Sequence, residues 1–191
     1  RIVYSNEGLL TINTRLLTLS NFLASSKTYD GTTDVTGTGF SDDRVNNDEL
    51  TFSYTASFED KHAETGKTVN YIGIAISGGA GATNYVLAST TGSSTADIYK
   101  RALNVTAVTD TKTYDGTISS DELPSVDALQ TGDQVSNPGT QVFDTKHTGT
   151  GKTMTASGTV IDDGNGGNNY TISYLTNNSG SNTKAGVNVY A

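Results

Sequence analysis

The chain has 191 residues, of which 34% are hydrophobic and 17% charged, and its formal net charge at pH 7 is −8. An acidic chain without a basic cluster argues against nucleic acid as a partner, because phosphate binding needs concentrated Lys and Arg. The same charge argues against an anionic membrane surface, and no apolar run is long enough for membrane insertion. The lack of cysteine excludes disulfides, thiolate metal sites and thiol nucleophiles.

The hexapeptide Lys-Thr-Tyr-Asp-Gly-Thr occurs twice, at 27–32 and at 112–117, so that its two copies are 85 residues apart. A constant spacing over so long a stretch indicates one structural unit written twice. We therefore predict a first repeat at 13–99 and a second at 100–191, with 1–12 as the end of a preceding unit or a leftover strand. The same spacing relates Phe58 to Phe143, Lys61 to Lys146, His62 to His147, Gly73 to Gly158, Asn84 to Asn169 and Tyr85 to Tyr170.

Each hexapeptide predicts a turn at the end of the repeat's first strand. An Asp side chain can bond back to nearby backbone, and Gly reaches positive φ without steric cost. We expect the tyrosine to pack inward, because a buried aromatic ring contributes a large apolar surface. The residues of this structural motif are Tyr29, Asp30 and Gly31 in the first copy and Tyr114, Asp115 and Gly116 in the second.

Several further strands are predicted in chain order from period-two alternation. The strongest alternation runs from Leu50 to Phe58, whereas its counterpart, 135–143, is interrupted by Pro138 and Gly139. The segments 68–76 and 153–161 each carry a mid-strand glycine, which suggests a bulge or a close approach by another backbone. The first repeat closes on Ala96-Asp97-Ile98, and we expect the second to close on Val187 and Val189.

Many short strands separated by turn signals favour an all-β fold. We predict two tandem immunoglobulin-like β-sandwich domains arranged end to end, because no Pro/Gly/Ser linker separates the repeats. The alternative is a β-grasp-like repeat, which a long helix across one sheet would reveal.

The repeats resemble the YDG/MBG-type repeat domains of large secreted bacterial adhesins, the filamentous-haemagglutinin-like exoproteins. The resemblance rests on Arg101-Ala-Leu103-Asn-Val105, the two hexapeptides, Phe58-Glu-Asp60-Lys61, Gly149-Thr-Gly151-Lys152, Asn169-Tyr170 and Thr95-Ala96-Asp97-Ile98. It implies a secreted or cell-surface location, tandem arrays with neighbouring repeats as partners, and a role in adhesion or biofilm formation. It carries over no catalytic residues.

We therefore expect a non-enzymatic stalk or spacer module of a bacterial adhesin. The alternative is a module that binds host or matrix glycan through the Gly/Asn-rich loops, with or without calcium. A glycan array with and without chelator separates the two hypotheses.

Only one segment suggests a metal, and no other cofactor is expected. Closely spaced Asp and Asn oxygens on a flexible Gly loop are ligands that Ca²⁺ prefers. The loop of the first copy, 77–83, has no carboxylate, so a calcium ion essential to the fold is not expected. The candidate ligands in the second copy are Asp162, Asp163, Asn165 and Asn168.

An intramolecular Lys–Asn isopeptide bond is a second possibility, since it needs a lysine, an asparagine and an acid in an apolar pocket. Paired surface charges explain the same residues more simply, and intact mass decides between the two because each bond releases one ammonia. The candidates are Lys27, Asn84 and Asp30 in the first copy and Lys112, Asn169 and Asp115 in the second.

Overall fold

The computed structural model of the protein describes residues 12–45 and 47–189. The prediction for residues 1–12 therefore lies, apart from Ile12, outside the described residues. The chain forms two compact units. The first holds 12–26, Thr33–Glu59 and Gly66–Ala96, and the second holds Lys27–Thr32, Asp60–Thr65 and the chain from Asp97 onward. Two segments of the first sequence repeat thus belong to the second unit, whereas the repeat boundaries stay a prediction from the sequence.

In its described residues the first repeat has eight strands and one short 3-10 turn. The strands are β1 (Arg15–Leu17), β2 (Leu19–Leu23), β3 (Lys27–Thr28), β4 (Gly39–Asp42), β5 (Thr51–Phe58), β6 (Glu64–Gly78), β7 (Tyr85–Leu87) and β8 (Gly92–Tyr99), and the 3-10 turn (Ala82–Asn84) precedes β7. The predicted strand at 50–58 is confirmed, and its apolar side chains are the less exposed ones along β5.

The second repeat has the same order of strands, but the counterparts of β5 and β6 are each divided into two shorter strands. Its strands are β9 (Arg101–Thr106), β10 (Thr111–Thr113), β11 (Ser125–Val126), β12 (Gln134–Asn137), β13 (Thr140–Phe143), β14 (Gly149–Ser157), β15 (Val160–Asp162), β16 (Tyr170–Leu175) and β17 (Asn177–Thr183). The all-β prediction is confirmed. Residues 12–45 and 47–189 contain no α-helix, so the long helix of the β-grasp alternative is not found there. None of their helical segments is long or apolar enough to cross a membrane.

The opening and closing strands of both repeats pair in parallel. In the first repeat β1 pairs with β7 and β3 with β8, and in the second β9 pairs with β16 and β10 with β17. One backbone bond extends the β3 and β10 pairs in the same way: Tyr29 N–H donates to the Tyr99 carbonyl and Tyr114 N–H to the Thr183 carbonyl, each at 2.8 Å. The two repeats therefore share this topology as well as their sequence.

Glycine and proline shape the antiparallel pairs as predicted. Gly73 has φ +63° at a register shift between β5 and β6, and Gly158, at φ +78°, separates β14 from β15. Pro138 and Gly139 separate β12, which pairs with β15, from β13, which pairs with β14. Pro lacks the N–H that a continuous ladder would require.

Each unit has its own hydrophobic core. In the first unit Leu17, Leu50 and Tyr85 are buried together. In the second unit Val105, Phe143 and Met154 form the centre of the core, with Ala107 and Ala156 beside them. Burial of such side chains is the main favourable term in folding.

The expected closing strand of the second repeat was wrong. Val187 and Val189 are 85% and 89% exposed and lie outside any strand. The closing strand is β17, whose buried positions hold Gly180 and Asn182. It lacks the alternation of apolar side chains that identifies a half-buried strand, and pairing with β10 and β14 defines it instead.

Candidate functional site: the Asp133 cluster

Both hexapeptides form the predicted corner. Gly31 and Gly116 have φ of +81° and +84°, values that favour glycine. One carboxylate oxygen of Asp30 accepts hydrogen bonds from the Thr32 N–H and hydroxyl, each at 2.9 Å. Asp115 bonds in the same way to Thr117, at 2.8 and 2.9 Å. The aspartate therefore fixes the turn in both copies.

A lysine completes each corner. Lys27 Nζ lies 2.8 Å from the Asp30 carboxylate, and Lys112 Nζ lies 3.0 Å from that of Asp115. The Thr117 N–H and the Lys112 ammonium together lower the pKa of Asp115 to about 2. These contacts are local to each corner and explain why the six residues recur as a group.

The two tyrosines of the motif differ in environment. Tyr29 is fully buried, as predicted, whereas Tyr114 is 38% exposed, so the prediction was wrong for Tyr114. Tyr29 is buried because it packs against residues of the second unit that lie outside its own corner. Its ring packs edge-on against Tyr170, with centroids 5.5 Å apart.

The buried carboxylate of Asp133 is the acceptor at the centre of these contacts. Its side chain has no exposed surface. The Tyr29 hydroxyl donates to it at 3.0 Å, the Tyr170 hydroxyl at 2.7 Å and Lys61 Nζ at 3.3 Å. We call Tyr29, Lys61, Asp133 and Tyr170 the Asp133 cluster. Buried charge is tolerated here because several donors surround it.

The cluster shifts the pKa of its other members. Burial raises the pKa of Tyr170 to about 12; the Gln130 N–H opposes this rise and Asp133 adds to it. Burial, followed by the hydrogen bond to Asp133, raises the pKa of Tyr29. Burial alone would lower the pKa of Lys61, but Tyr29 and Asp133 raise it above its ordinary value. The phenols and the ammonium thus keep their protons beside the carboxylate, as donors must.

A second set of contacts adjoins the cluster. Asn169 is fully buried, and its side-chain oxygen accepts the Ala63 N–H at 2.8 Å. Its amide nitrogen lies 3.4 Å from Nδ1 of His62. The Asp60–Thr65 segment is therefore held by the asparagine that directly precedes Tyr170.

The first unit has a carboxylate–tyrosine pair, Asp48 and Tyr85, that is equivalent to Asp133 and Tyr170. The Tyr85 hydroxyl donates to Asp48 at 2.8 Å and accepts the Val45 N–H at 3.0 Å. In the second unit the Tyr170 hydroxyl likewise accepts the Gln130 N–H, at 2.9 Å. Sequence reasoning missed Asp48 and Asp133, although their separation of 85 residues was a sufficient signal.

The candidate calcium loop is organised by its own backbone. Asp163 is buried, and its carboxylate accepts the N–H groups of Asn165, Gly167 and Asn169 at 2.8 to 2.9 Å. Burial raises the pKa of Asp163, but these three bonds lower it below its usual range. Asp162 is exposed in β15, and Asn168 donates to the Asn165 carbonyl. Throughout 12–45 and 47–189, no group of three or more His, Asp or Glu side chains could hold a metal.

The isopeptide candidates of the second copy are divided between two places. Lys112 lies with Asp115, as the sequence predicted, and also donates to the Ser119 carbonyl at 2.8 Å. Asn169 instead lies with Asp163 and His62. In the first copy Lys27 lies with Asp30, and Asn84 ends the 3-10 turn of the first unit. The crosslink stays a prediction.

Lys67 and Lys152 are buried. Each lies in the Gly-Lys-Thr segment of its repeat. Lys152 Nζ donates to the Thr145 hydroxyl at 2.7 Å and lies 3.9 Å from Asp144. Lys67 lies 3.9 Å from Glu59, the counterpart of Asp144. Both lysines thus tie β6 or β14 to the preceding connection.

Comparison with known proteins bears on the repeats themselves. No curated protein and no solved structure is significantly similar to the chain. The model of the YDG domain matches it twice, at residues 13–92 and 99–178. These matches cover both hexapeptides and most of the chain. The chain therefore belongs to the YDG domain family, of which it carries two tandem copies.

Proposed function

We propose that the chain is a non-enzymatic spacer of a secreted or cell-surface bacterial adhesin, and that its repeats resist tension along the polypeptide. The parallel pairing of opening and closing strands supports this proposal. The adhesin context comes from the family resemblance, and the load-bearing role comes from the strand geometry.

The mechanical argument follows from strand direction. When the second repeat is stretched, tension that reaches β10 pulls its start one way and the end of β17 the opposite way. Because these strands are parallel, they must slide past each other, and their hydrogen bonds share the load. Antiparallel neighbours of a hairpin would instead separate one bond at a time. The β3–β8 pair gives the first repeat the same arrangement.

Single-molecule force spectroscopy with two variants of matched stability tests the proposal. Ser181→Pro removes the N–H that bonds the Asp110 carbonyl at 2.9 Å beside the β10–β17 pair. Ile161→Ala opens a cavity in β15, away from both strands. At equal loss of equilibrium stability, only Ser181→Pro should lower the unfolding force strongly. Equal forces for the two variants would contradict the proposal.

Binding of host or matrix glycan is the competing hypothesis, and the loop geometry favours it less. The polar groups at the centre of the Asp163 loop bond to one another, so a sugar would have to displace them. Calcium-dependent retention on a glycan array would support the competing hypothesis against the spacer.

A further inference from the structure

The contacts of the Asp133 cluster involve two sets of residues. One set, the corner face, consists of Tyr29, Lys61 and His62 from the first repeat. The other, the acceptor face, consists of Asp133, Asn169 and Tyr170 from the second repeat. All six residues belong to the second unit, which makes their packing part of that unit's interior.

Each face has a counterpart with the same residue types, 85 residues away in the sequence. The counterpart of the corner face is Tyr114, Lys146 and His147, and every one of these residues is exposed. Tyr114 and His147 line a surface pocket that also includes Thr148, Lys184 and Val187. This second corner face therefore presents the same chemical groups without the cover that makes Tyr29 fully buried.

The counterpart of the acceptor face is Asp48, Asn84 and Tyr85 in the first unit. All three line a surface pocket, together with Val45 and Arg15. Asn84 is exposed, whereas Asn169 is fully buried. Tyr85 already donates to Asp48, as Tyr170 does to Asp133, so the acceptor is preorganised in the first unit as well.

We propose that both counterpart faces are docking sites for further YDG domains. The Asp48–Asn84–Tyr85 face would receive the Tyr, Lys and His of another domain's corner face, and the Tyr114–Lys146–His147 face would receive another domain's Asp, Asn and Tyr. The proposal deepens the spacer function and rests on it in supposing that further repeats are present.

Charge and geometry support a YDG domain as the occupant. An ammonium on one face meets a carboxylate on the other, and two phenols share that carboxylate at 2.7 to 3.0 Å in the packing already described. The two faces differ, so their pairing is heterologous, and each domain offers one face to a preceding domain and the other face to a following one. A covalent linker would supply a neighbour at an effective concentration of roughly millimolar, so weak pairing is sufficient.

Zero-length carbodiimide crosslinking of the chain with itself tests the docking. The reagent joins a lysine amine to a carboxylate that it touches, with loss of one water. A mixture of ¹⁴N- and ¹⁵N-labelled chain at about 1 mM, the effective concentration a short linker provides, should give a mixed-isotope peptide that joins Lys146 to Asp48. The internal reference is the link between Lys112 and the exposed carboxylate of Asp115, whose atoms are 3.0 Å apart; this link should form within single molecules.

Charge variants decide whether the link reports the proposed faces. Lys146→Asp alone and Asp48→Lys alone should each reduce intermolecular product more than fivefold. A mixture of these two single variants should restore it with the linked residue types exchanged. Circular dichroism confirms that each variant is folded.

Two results would overturn the docking proposal. One is a Lys112–Asp115 link without intermolecular Lys146–Asp48 product above that of other exposed Lys and Asp residues. The other is a Lys146–Asp48 link found only within single molecules. Neither result depends on the unfolding force, so failure of the docking and failure of the load-bearing role are distinguishable.

Discussion

Asn182 in β17 occupies the position that Ile98 has in β8. Ile98 pairs with Lys27, and Asn182 pairs with Lys112, the equivalent lysine of the second hexapeptide. Both side chains are buried, but the side-chain oxygen of Asn182 has no hydrogen-bond partner. A buried polar atom without a partner costs free energy, so at this position the second repeat is less well satisfied than the first, which has an apolar side chain there.

Asn182→Ile should therefore stabilise the protein. Removal of the unpartnered oxygen and burial of an apolar side chain should raise the free energy of unfolding by about 1–2 kcal/mol. The Lys146 carbonyl loses the Asn182 amide, at 2.8 Å, but lies on an exposed residue that water can reach. Urea denaturation measures the change, and the reverse exchange, Ile98→Asn, should destabilise. A loss of stability in Asn182→Ile would contradict this explanation.

In the core of each repeat, the size of the side chain on one strand is matched to the size of its neighbour on the closing strand. Phe58 pairs with Val69 in the first repeat and Phe143 with Met154 in the second. The closing strands compensate for the size difference between Val69 and Met154, because β8 has Ala96 where β17 has the smaller Gly180. A Cβ at Gly180 would lie 2.7 Å from Met154 Sδ and 3.0 Å from the Lys152 carbonyl oxygen, so an alanine there would force the methionine side chain to shift.

A double-mutant cycle tests this compensation. Gly180→Ala alone should cost roughly 1–2 kcal/mol by overpacking, and Met154→Val alone should cost a similar amount by leaving a cavity. The double variant should recover at least about 1 kcal/mol relative to the sum of the single variants. Thermal or urea unfolding gives the four values, and simple additivity would show that the two positions do not share one space.

Asp133 should matter more for stability than its counterpart Asp48. Asp133→Ala leaves two buried phenols and one lysine without their acceptor, and we expect a loss of about 2–4 kcal/mol. Asp48→Ala removes the acceptor of one phenol and should cost about 1 kcal/mol. Both variants are measured by urea denaturation. A smaller loss of stability for Asp133→Ala than for Asp48→Ala would contradict the stabilising role of the Asp133 cluster.

The raised pKa of Tyr170 predicts a loss of stability at alkaline pH. The folded value of about 12 lies above the ordinary value of 10.0, so the unfolded chain releases this proton more readily. The contribution is present below pH 10 and is lost as the pH rises toward 12. In Tyr170→Phe this component of the pH dependence should disappear. Urea denaturation at several pH values between 9 and 12 checks the slope, with Tyr99→Phe as the control for an exposed tyrosine.

Local patterns in the sequence predicted much of the fold. Alternation predicted β5, Pro138 predicted the break between β12 and β13, and the repeated glycines predicted irregularities at Gly73 and Gly158. Each of these features depends on residues close together in the chain. The strand β17 could not be found in this way, because Gly180 and Asn182 replace the Ala and Ile of β8 and remove its apolar signal.

The candidate site was predicted only in part. The corner geometry of Asp30-Gly31 and Asp115-Gly116 follows from turn chemistry, but the burial of Tyr29 depends on Asp133, which is 104 residues away in the chain. No local pattern specifies such a contact. Asp48 and Asp133 have the same spacing as the two hexapeptides. This spacing would have indicated that both aspartates belong to the repeat, although not what they bind.

Pulling the second repeat along two directions tests the load-bearing role most directly. Because the chain has no cysteine, paired cysteines provide unique attachment points. Thr109→Cys with Lys184→Cys loads the parallel strands β10 and β17 in shear, whereas Tyr114→Cys with Lys184→Cys pulls the same strands apart from one end. We predict an unfolding force several times higher along the first direction. Equal forces along both directions would contradict the load-bearing role.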